Sequence, residues 1–193
     1  MVAITPCEGG SEAKVIFERL FTPRKRSSAG QDLYLQAARQ ARRPVFYTSL
    51  GVADSGEGRF ELYCLHVALV LLRMKGQGAA AAETAQALFD AFVSALDDAL
   101  REMGVGDISV GKKMRKLGEA FYGRVRSYDE ALVPMSDRPA LEALLTRTVF
   151  EGREDAAAGL LADYVVRARE GLEQTSLDDL LAARALPWPE PVT

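Results

Sequence analysis

Residues 61–73 have the sequence ELYCLHVALVLLR, in which only His66 interrupts an apolar run from Leu62 to Leu72. A helix that crosses a membrane needs about 20 apolar residues, so this run is too short to span one. Over residues 58–75 the apolar side chains fall on nearly every side of a helix, which is typical of the middle of a bundle. The sequence therefore predicts a buried core helix here.

Amphipathic segments lie on both sides of this central helix. Leu88, Phe92 and Leu96, for example, recur on one face at helical spacing. No segment alternates convincingly with the period of two that is typical of a strand. Helices are predicted at 13–21, 32–42, 58–75, 79–103, from 107 past 128, at 139–150, at 154–173 and, as a short final helix, from 176. The expected fold is all-α, a compact bundle of roughly six to eight helices in a single domain.

Polar segments divide the chain into three parts. Residues 1–30 contain a short N-terminal amphipathic helix and a basic linker, and the main helical domain occupies 31–175. Residues 176–193 form a short helix and a C-terminal tail. The stretch from Pro44 to Gly56 contains two glycines and a proline, so we expect an ordered connector.

Several residues are typical of helix ends. Asp54 followed by Glu57 has the spacing of a capping box for the central helix. Gly104 is placed to end the helix over 79–103 in a left-handed conformation, and Asp107 to cap the next one. Pro139 suits the first turn of the helix that follows, with Asp137 or Ser136 as its cap.

The composition restricts the class of partner and the compartment. The 193 residues carry a net charge of −3, with a pI near 5.4, so the chain has no general attraction for nucleic acid and no DNA partner is expected. Cys7 and Cys64 lie far apart and lack metal-ligand spacing, which favours a reducing compartment. The N-terminal region carries acids and lacks a signal-peptide pattern, so we expect a soluble, cytoplasmic protein of bacterial type.

Catalytic residues are hard to find in this sequence. Paired carboxylates occur only as neighbours, as in Asp97–Asp98, and neighbouring residues diverge on a helix. His66 is the one histidine. Its position is compatible with a core residue that makes a local hydrogen bond, or with a contact for a partner or haem. We therefore predict a protein that is not an enzyme and carries no cofactor or metal.

One predicted helix carries a dense group of cations. Only Glu119 lies among them, and like charges packed so closely repel one another unless a partner or neighbouring acids offset them. The acidic helix before it is one source of such acids, and a partner is the other. The cations that we predict to bind a partner are Lys112, Lys113, Arg115, Lys116 and Arg124, with Arg126 beside them.

Ordered blocks along the chain are similar to those of the ubiquinol–cytochrome c chaperone family. The similarity covers about residues 31–175. It is specific because several blocks occur in the same order. The blocks are ARRPVFY at 41–47, GVADS at 51–55, GRFEL at 58–62, LH at 65–66, AQALFD at 85–90, LREMGVGD at 100–107, VGKKM at 110–114 and AFYGR at 120–124.

This resemblance implies a role in assembly. Members of the family help newly made cytochrome b become part of the ubiquinol–cytochrome c reductase complex, respiratory complex III. The implied partners are cytochrome b or its nascent chain, a small helical co-chaperone and the region of the ribosome exit. The alternative is a helical carrier that binds haem or quinone during maturation of the same complex.

Such a chaperone needs an exposed apolar or aromatic patch for its client. The connector and the start of the central helix supply the candidates, and we predict partner binding by Phe46, Tyr47, Val52 and Phe60, with Leu50 beside them. The alternative is that these side chains fill the core.

The N-terminal segment combines an apolar helix face with a cationic cluster. This combination is typical of a helix that lies on anionic lipid, so we predict peripheral contact with the cytoplasmic face of the inner membrane. The alternative is a helix that packs back on the domain. The predicted membrane-surface residues are Phe17, Leu20, Phe21, Arg24, Lys25 and Arg26.

Overall fold

The computed structural model describes residues 28–132, 137–153 and 157–191. These ranges contain eight helices and no strand, which confirms the predicted all-α single domain. The helices are α1 (Ser28–Ala41), α2 (Pro44–Thr48), α3 (Gly56–Met74), α4 (Ala79–Glu102), α5 (Asp107–Leu132), α6 (Arg138–Thr148), α7 (Ala157–Gln174) and α8 (Leu177–Leu181). The predicted N-terminal helix at 13–21 lies outside the described residues.

Helix α3 lies at the centre, as its apolar sequence predicts. It packs against α1, α4, α5 and α7, and Leu62, Leu65 and Val67 on it are fully buried. Each such side chain contributes about 1.5–3 kcal/mol by leaving water. Burial on several sides of one helix therefore organises the whole bundle around α3.

Close contact between helices α1 and α4 is made possible by a glycine. A Cβ atom at Gly30 would lie 2.5 Å from the Cβ of Ala87 and 2.6 Å from the amide nitrogen of Leu88. These distances leave no room for a side chain, so the start of α1 lies directly against the first half of α4.

The turn between α4 and α5 has the predicted left-handed glycine but not the predicted cap. The carbonyl of Gly106 accepts the amide of Val110 at 3.0 Å, and Asp107 is already the first residue of α5. Gly104 has a φ of +76°, and its amide donates to the carbonyl of Arg101 at 2.9 Å. A left-handed glycine after the last helical turn satisfies carbonyls that would otherwise lack a donor. The carboxylate of Asp107, in the first turn of α5, binds the Arg101 guanidinium at 2.5 Å.

The N-cap of α3 differs from the prediction. Ser55, not Asp54, caps the helix, and its hydroxyl accepts the amide of Gly58 at 3.1 Å. Asp54 lies one residue too early and pairs instead with Arg59 at 2.6 Å. A Cβ at Gly58 would lie 2.1 Å from the carbonyl oxygen of Ala53, so only glycine fits at this position.

The connector before α3 contains the short helix α2, which was not predicted from the sequence. Pro44 lies in its first turn, where the missing amide hydrogen costs nothing. The amide of Val52 then donates to the carbonyl of Phe46 at 3.0 Å and folds the connector back on this helix.

Two later caps agree with the prediction. The Asp137 side chain accepts the amide of Ala140 at 3.0 Å, with proline in the first turn of α6. The Ser176 hydroxyl accepts the amide of Asp179 at 3.1 Å and begins α8.

The C-terminal tail after α8 is bound to α1. The Gln36 side chain donates to the carbonyl of Ala183 at 3.1 Å and accepts the amide of Leu186 at 2.8 Å. Arg43 then forms two hydrogen bonds, of 2.7 and 2.6 Å, with the carboxylate of Glu190. The tail therefore packs along the first described helix.

Candidate functional site

His66 is a core residue, and both of its ring nitrogens are hydrogen-bonded. Nδ1 lies 2.7 Å from the carbonyl oxygen of Leu62, and Nε2 lies 2.7 Å from the hydroxyl of Tyr164. A carbonyl only accepts, so Nδ1 carries the proton and Nε2 accepts from Tyr164, whose oxygen accepts in turn from Gln40 at 3.0 Å. Burial lowers the pKa of His66 to about 4, which keeps the ring neutral near pH 7.

Aromatic rings enclose this histidine. The ring centroids of Phe46, Tyr164 and Trp188 lie 5.5, 5.7 and 5.1 Å from that of His66. With no exposed surface and no free ring nitrogen, His66 offers no position for haem iron. The haem-carrier alternative therefore gains no support from this residue.

The nearby thiol has a structural environment. Cys64 is completely buried, and burial raises the pKa of its thiol well above the usual value, so the thiolate is disfavoured. Within the ranges 28–132, 137–153 and 157–191, no group of three or more His, Cys, Asp or Glu side chains is placed to hold a metal ion.

The predicted apolar loop patch is not exposed. Phe46 is 0% exposed because α2 turns its ring inward against His66, and Val52 is 2% exposed. The prediction that they present a client surface is wrong, and the core-filling alternative is correct for them. Tyr47 and Phe60 are partly buried, and Tyr47 donates its hydroxyl to the carbonyl of Ala41 at 3.0 Å. Their role in partner binding stays a prediction.

Arg124 is also engaged inside the protein. Its guanidinium donates two hydrogen bonds of 2.7 Å to the carboxylate of Glu61, a largely buried residue of α3. Arg124 thereby joins α5 to α3 and is only partly exposed, and its role in partner binding stays a prediction. Only the fold could reveal this pairing, because the partners lie 63 positions apart.

The remaining predicted cations do face solvent. Lys112, Lys113 and Lys116 are exposed, and none of them forms an ion pair within the part of the chain that the structure describes. We call these three residues the lysine face. Arg115 is exposed as well, at 3.8 Å from Glu119 of its own helix. The acids of α4 therefore do not neutralise the lysine face.

Two large apolar side chains are exposed where α4 ends and α5 begins. Met103 is 69% exposed at the end of α4, and Ile108 is 88% exposed in the first turn of α5. Ile108 precedes Lys112 by four residues, so both lie on the same side of α5. Ile108 was not predicted as a surface residue, although its spacing from Lys112 is visible in the sequence.

An apolar groove runs between α4 and α5. We call it the α4–α5 groove; its cavity volume is about 270 Å³, and its lining includes Phe92, Val93, Leu96, Met114, Leu117 and Gly118. A Cβ atom added at Gly111 or Gly118 would meet no heavy atom within 4 Å, so the α5 wall is open at both positions. This groove was not predicted from the sequence. Its one visible signal is that Gly111 and Gly118, seven residues apart, lie on the same side of a helix.

The prediction of peripheral membrane contact stays a prediction. None of the helices within the described residues is long and apolar enough to cross a membrane. The residues predicted to lie on a membrane surface, from Phe17 to Arg26, fall outside the described ranges.

The fold and surface define an all-helical protein with a neutral aromatic core and an exposed cationic and apolar surface on α5. Residues 48–188 match the family described as ubiquinol-cytochrome C chaperone, and the chain belongs to this family. The similarity predicted from the sequence ended at about residue 175. The family match extends beyond it, into the tail that packs on α1.

Relatives of known name agree with this assignment. Ubiquinol-cytochrome-c reductase complex assembly factor 1 of Xenopus laevis is 26% identical over 145 residues, which cover 74% of this chain and 72% of that protein. The Homo sapiens factor of the same name is 28% identical over 145 residues, but this chain spans only 48% of its length. The crystal structure of the Cbp3 homolog from Brucella abortus has a TM-score of 0.75 and 35% identity, covering 89% of this chain and 92% of that one.

Proposed function

We propose that this protein is a non-enzymatic chaperone that binds newly made cytochrome b and assists assembly of the ubiquinol–cytochrome c reductase complex. Its family and the assembly role in the names of its relatives support this function. The observation that carries the binding mode is the lysine face, whose charges have no ion-pair partner in the described part of the chain. The exposed Ile108 lies one turn before Lys112 on the same side of α5, and the exposed Met103 lies at the end of α4.

The chemistry of this surface suits a client or co-chaperone with acidic and apolar side chains. Three exposed lysines attract carboxylates over roughly one Debye length, about 8 Å at physiological ionic strength, and so raise the rate of encounter. Ile108 and Met103 then supply apolar area that leaves water on contact. Cations direct the approach, and the two apolar side chains stabilise the complex.

The site of action is part of the same proposal. Because the proposed client is a newly made membrane protein, we propose that the chaperone acts in the cytoplasm, at the cytoplasmic face of the inner membrane and near the ribosome exit. A small helical co-chaperone would share the surface or bind elsewhere on the bundle.

Charge reversal tests the binding mode. The double variant Lys112→Glu, Lys116→Glu should recover less cytochrome b in a pull-down and reduce the amount of assembled complex. Arg39→Glu, Arg147→Glu is the matched control, because both arginines are exposed on other helices and the change in net charge is the same. Equal recovery by the two variants would show that the lysine face is not the contact surface.

A further inference from the structure

The α4–α5 groove is an apolar surface that these two helices leave partly uncovered. Packed helices normally insert the side chains of one into the spaces of the other. Gly111 and Gly118 offer no side chain to insert, and the space beside each is open. The apolar side chains of Val93, Leu96 and Met114 are consequently only partly buried. An additional apolar element would fit against them.

The described chain begins close to this groove. Helix α1 starts at Ser28, and Gly30 lies against Ala87 and Leu88 of α4. Phe92 follows Leu88 by one helical turn and lines the groove. The residues before Ser28 therefore enter the fold about one turn of α4 away from the groove.

The sequence before α1 has the chemistry of an occupant. Residues 13–21 carry Val15, Ile16, Phe17, Leu20 and Phe21. The six residues 22–27 join this segment to α1 and reach about 20 Å when extended, which is more than one helical turn requires. A tethered segment competes well for a nearby site, because its effective concentration is in the millimolar range.

The charges are complementary as well. Arg115 and Glu119 both line the groove on the α5 side, 3.8 Å apart, and the N-terminal segment offers the opposite charges Glu18 and Arg19 next to its apolar residues. The same arrangement would leave the lysine face of α5 exposed.

We propose that the α4–α5 groove is the docking site for the chain's own N-terminal segment, residues 13–21. The apolar side chains of this segment cover the groove walls beside Gly111 and Gly118, and Glu18 faces Arg115. The segment packs on the bundle rather than on lipid, and this holds whichever client the protein binds.

Site-specific crosslinking in the full-length chain tests this docking. Cys7→Ser leaves Cys64, which is fully buried, as the one remaining native thiol. Arg19→Cys then provides one thiol in the segment, and Gly118→Cys a second in the groove, where the new side chain has space. Gly123→Cys is the matched control, because Gly123 is exposed on the same helix and also has open space around it.

A short bismaleimide should link residues 19 and 118 within one monomer about tenfold faster than residues 19 and 123. Phe17→Ser with Phe21→Ser should reduce the rate at residue 118 to that of the control. Equal rates at 118 and 123, or no effect of the two serines, would overturn the proposal. Crosslinked dimers alone would assign the groove to a second copy, and no crosslink together with flotation on anionic vesicles would assign the segment to lipid.

Discussion

Arg124 of α5 and Glu61 of α3 form a two-pronged ion pair, with both hydrogen bonds 2.7 Å long. Glu61 is only 7% exposed, so its charge has lost most of its water. The guanidinium replaces that hydration with two parallel hydrogen bonds. This pair fixes α5 against the central helix and thereby sets the position of the lysine face relative to the core.

Removal of the Arg124 guanidinium should destabilise the protein strongly. Arg124→Ala leaves the Glu61 carboxylate buried without a partner, which costs about 3 kcal/mol of unfolding free energy. Urea unfolding followed by circular dichroism measures the change. Arg126→Ala is the control, since Arg126 is exposed and pairs with Glu130 one turn away, and its loss should cost less than about 0.5 kcal/mol. Similar losses for both variants would contradict the assignment.

The neutral, buried His66 makes stability depend on pH. Burial lowers its folded-state pKa from 6.5 to about 4, so the unfolded chain binds more protons between those values. The unfolding free energy should therefore fall as the pH falls from about 6.5 to about 4, by up to about 3 kcal/mol in total. Urea unfolding across this range measures the slope.

His66→Gln isolates this contribution, because glutamine does not titrate and every carboxylate remains. Its unfolding free energy should lose less between about pH 6.5 and pH 5 than that of the unaltered protein. Parallel slopes in the two proteins would show that His66 is not the group responsible.

Two glycines should respond to alanine in opposite ways. Gly58→Ala places a methyl group 2.1 Å from the Ala53 carbonyl oxygen, so the loop before α3 must move and the melting temperature should fall by several degrees. Gly123→Ala meets open space in the middle of α5 and should raise the unfolding free energy by about 0.5–1 kcal/mol. Thermal unfolding of both variants provides the comparison, and a stabilised Gly58→Ala protein would refute the contact.

The C-terminal tail should loosen when Gln36 is shortened. Gln36→Ala removes hydrogen bonds to Ala183 and Leu186, so amide exchange at Leu186 should accelerate by about tenfold or more. The control is Glu190→Ala, which breaks only an exposed ion pair and should have a smaller effect at Leu186. Unchanged exchange in Gln36→Ala would mean that other contacts hold the tail.

Local signals were sufficient to predict most of the helices. The periodicity around α3 predicted residues 58–75, and the helix spans Gly56–Met74. Asp137, Ser176 and Gly104 were identified as end residues because caps depend on neighbours within a few positions. The short helix α2 was missed because proline and glycine near Phe46 resemble a connector.

The candidate site was less predictable, because burial depends on distant partners. Phe46 turns inward towards His66 and Tyr164, and Tyr164 lies 98 positions from His66. In sequence, Arg124 resembles the neighbouring lysines. The fold distinguishes it by bringing its guanidinium to 2.7 Å from the carboxylate of Glu61. The exposure of Lys112 and Lys116 was predicted, because charged residues on the outer side of an amphipathic helix face water.

The most direct test of the central claim is to isolate the tagged protein from membranes during synthesis of cytochrome b, after brief crosslinking, and to identify the bound polypeptide. We expect recovery of newly made cytochrome b, at a lower yield from the Lys112→Glu, Lys116→Glu variant than from the Arg39→Glu, Arg147→Glu control. Absence of cytochrome b from the crosslinked material, with the chaperone present and folded, would contradict the central claim.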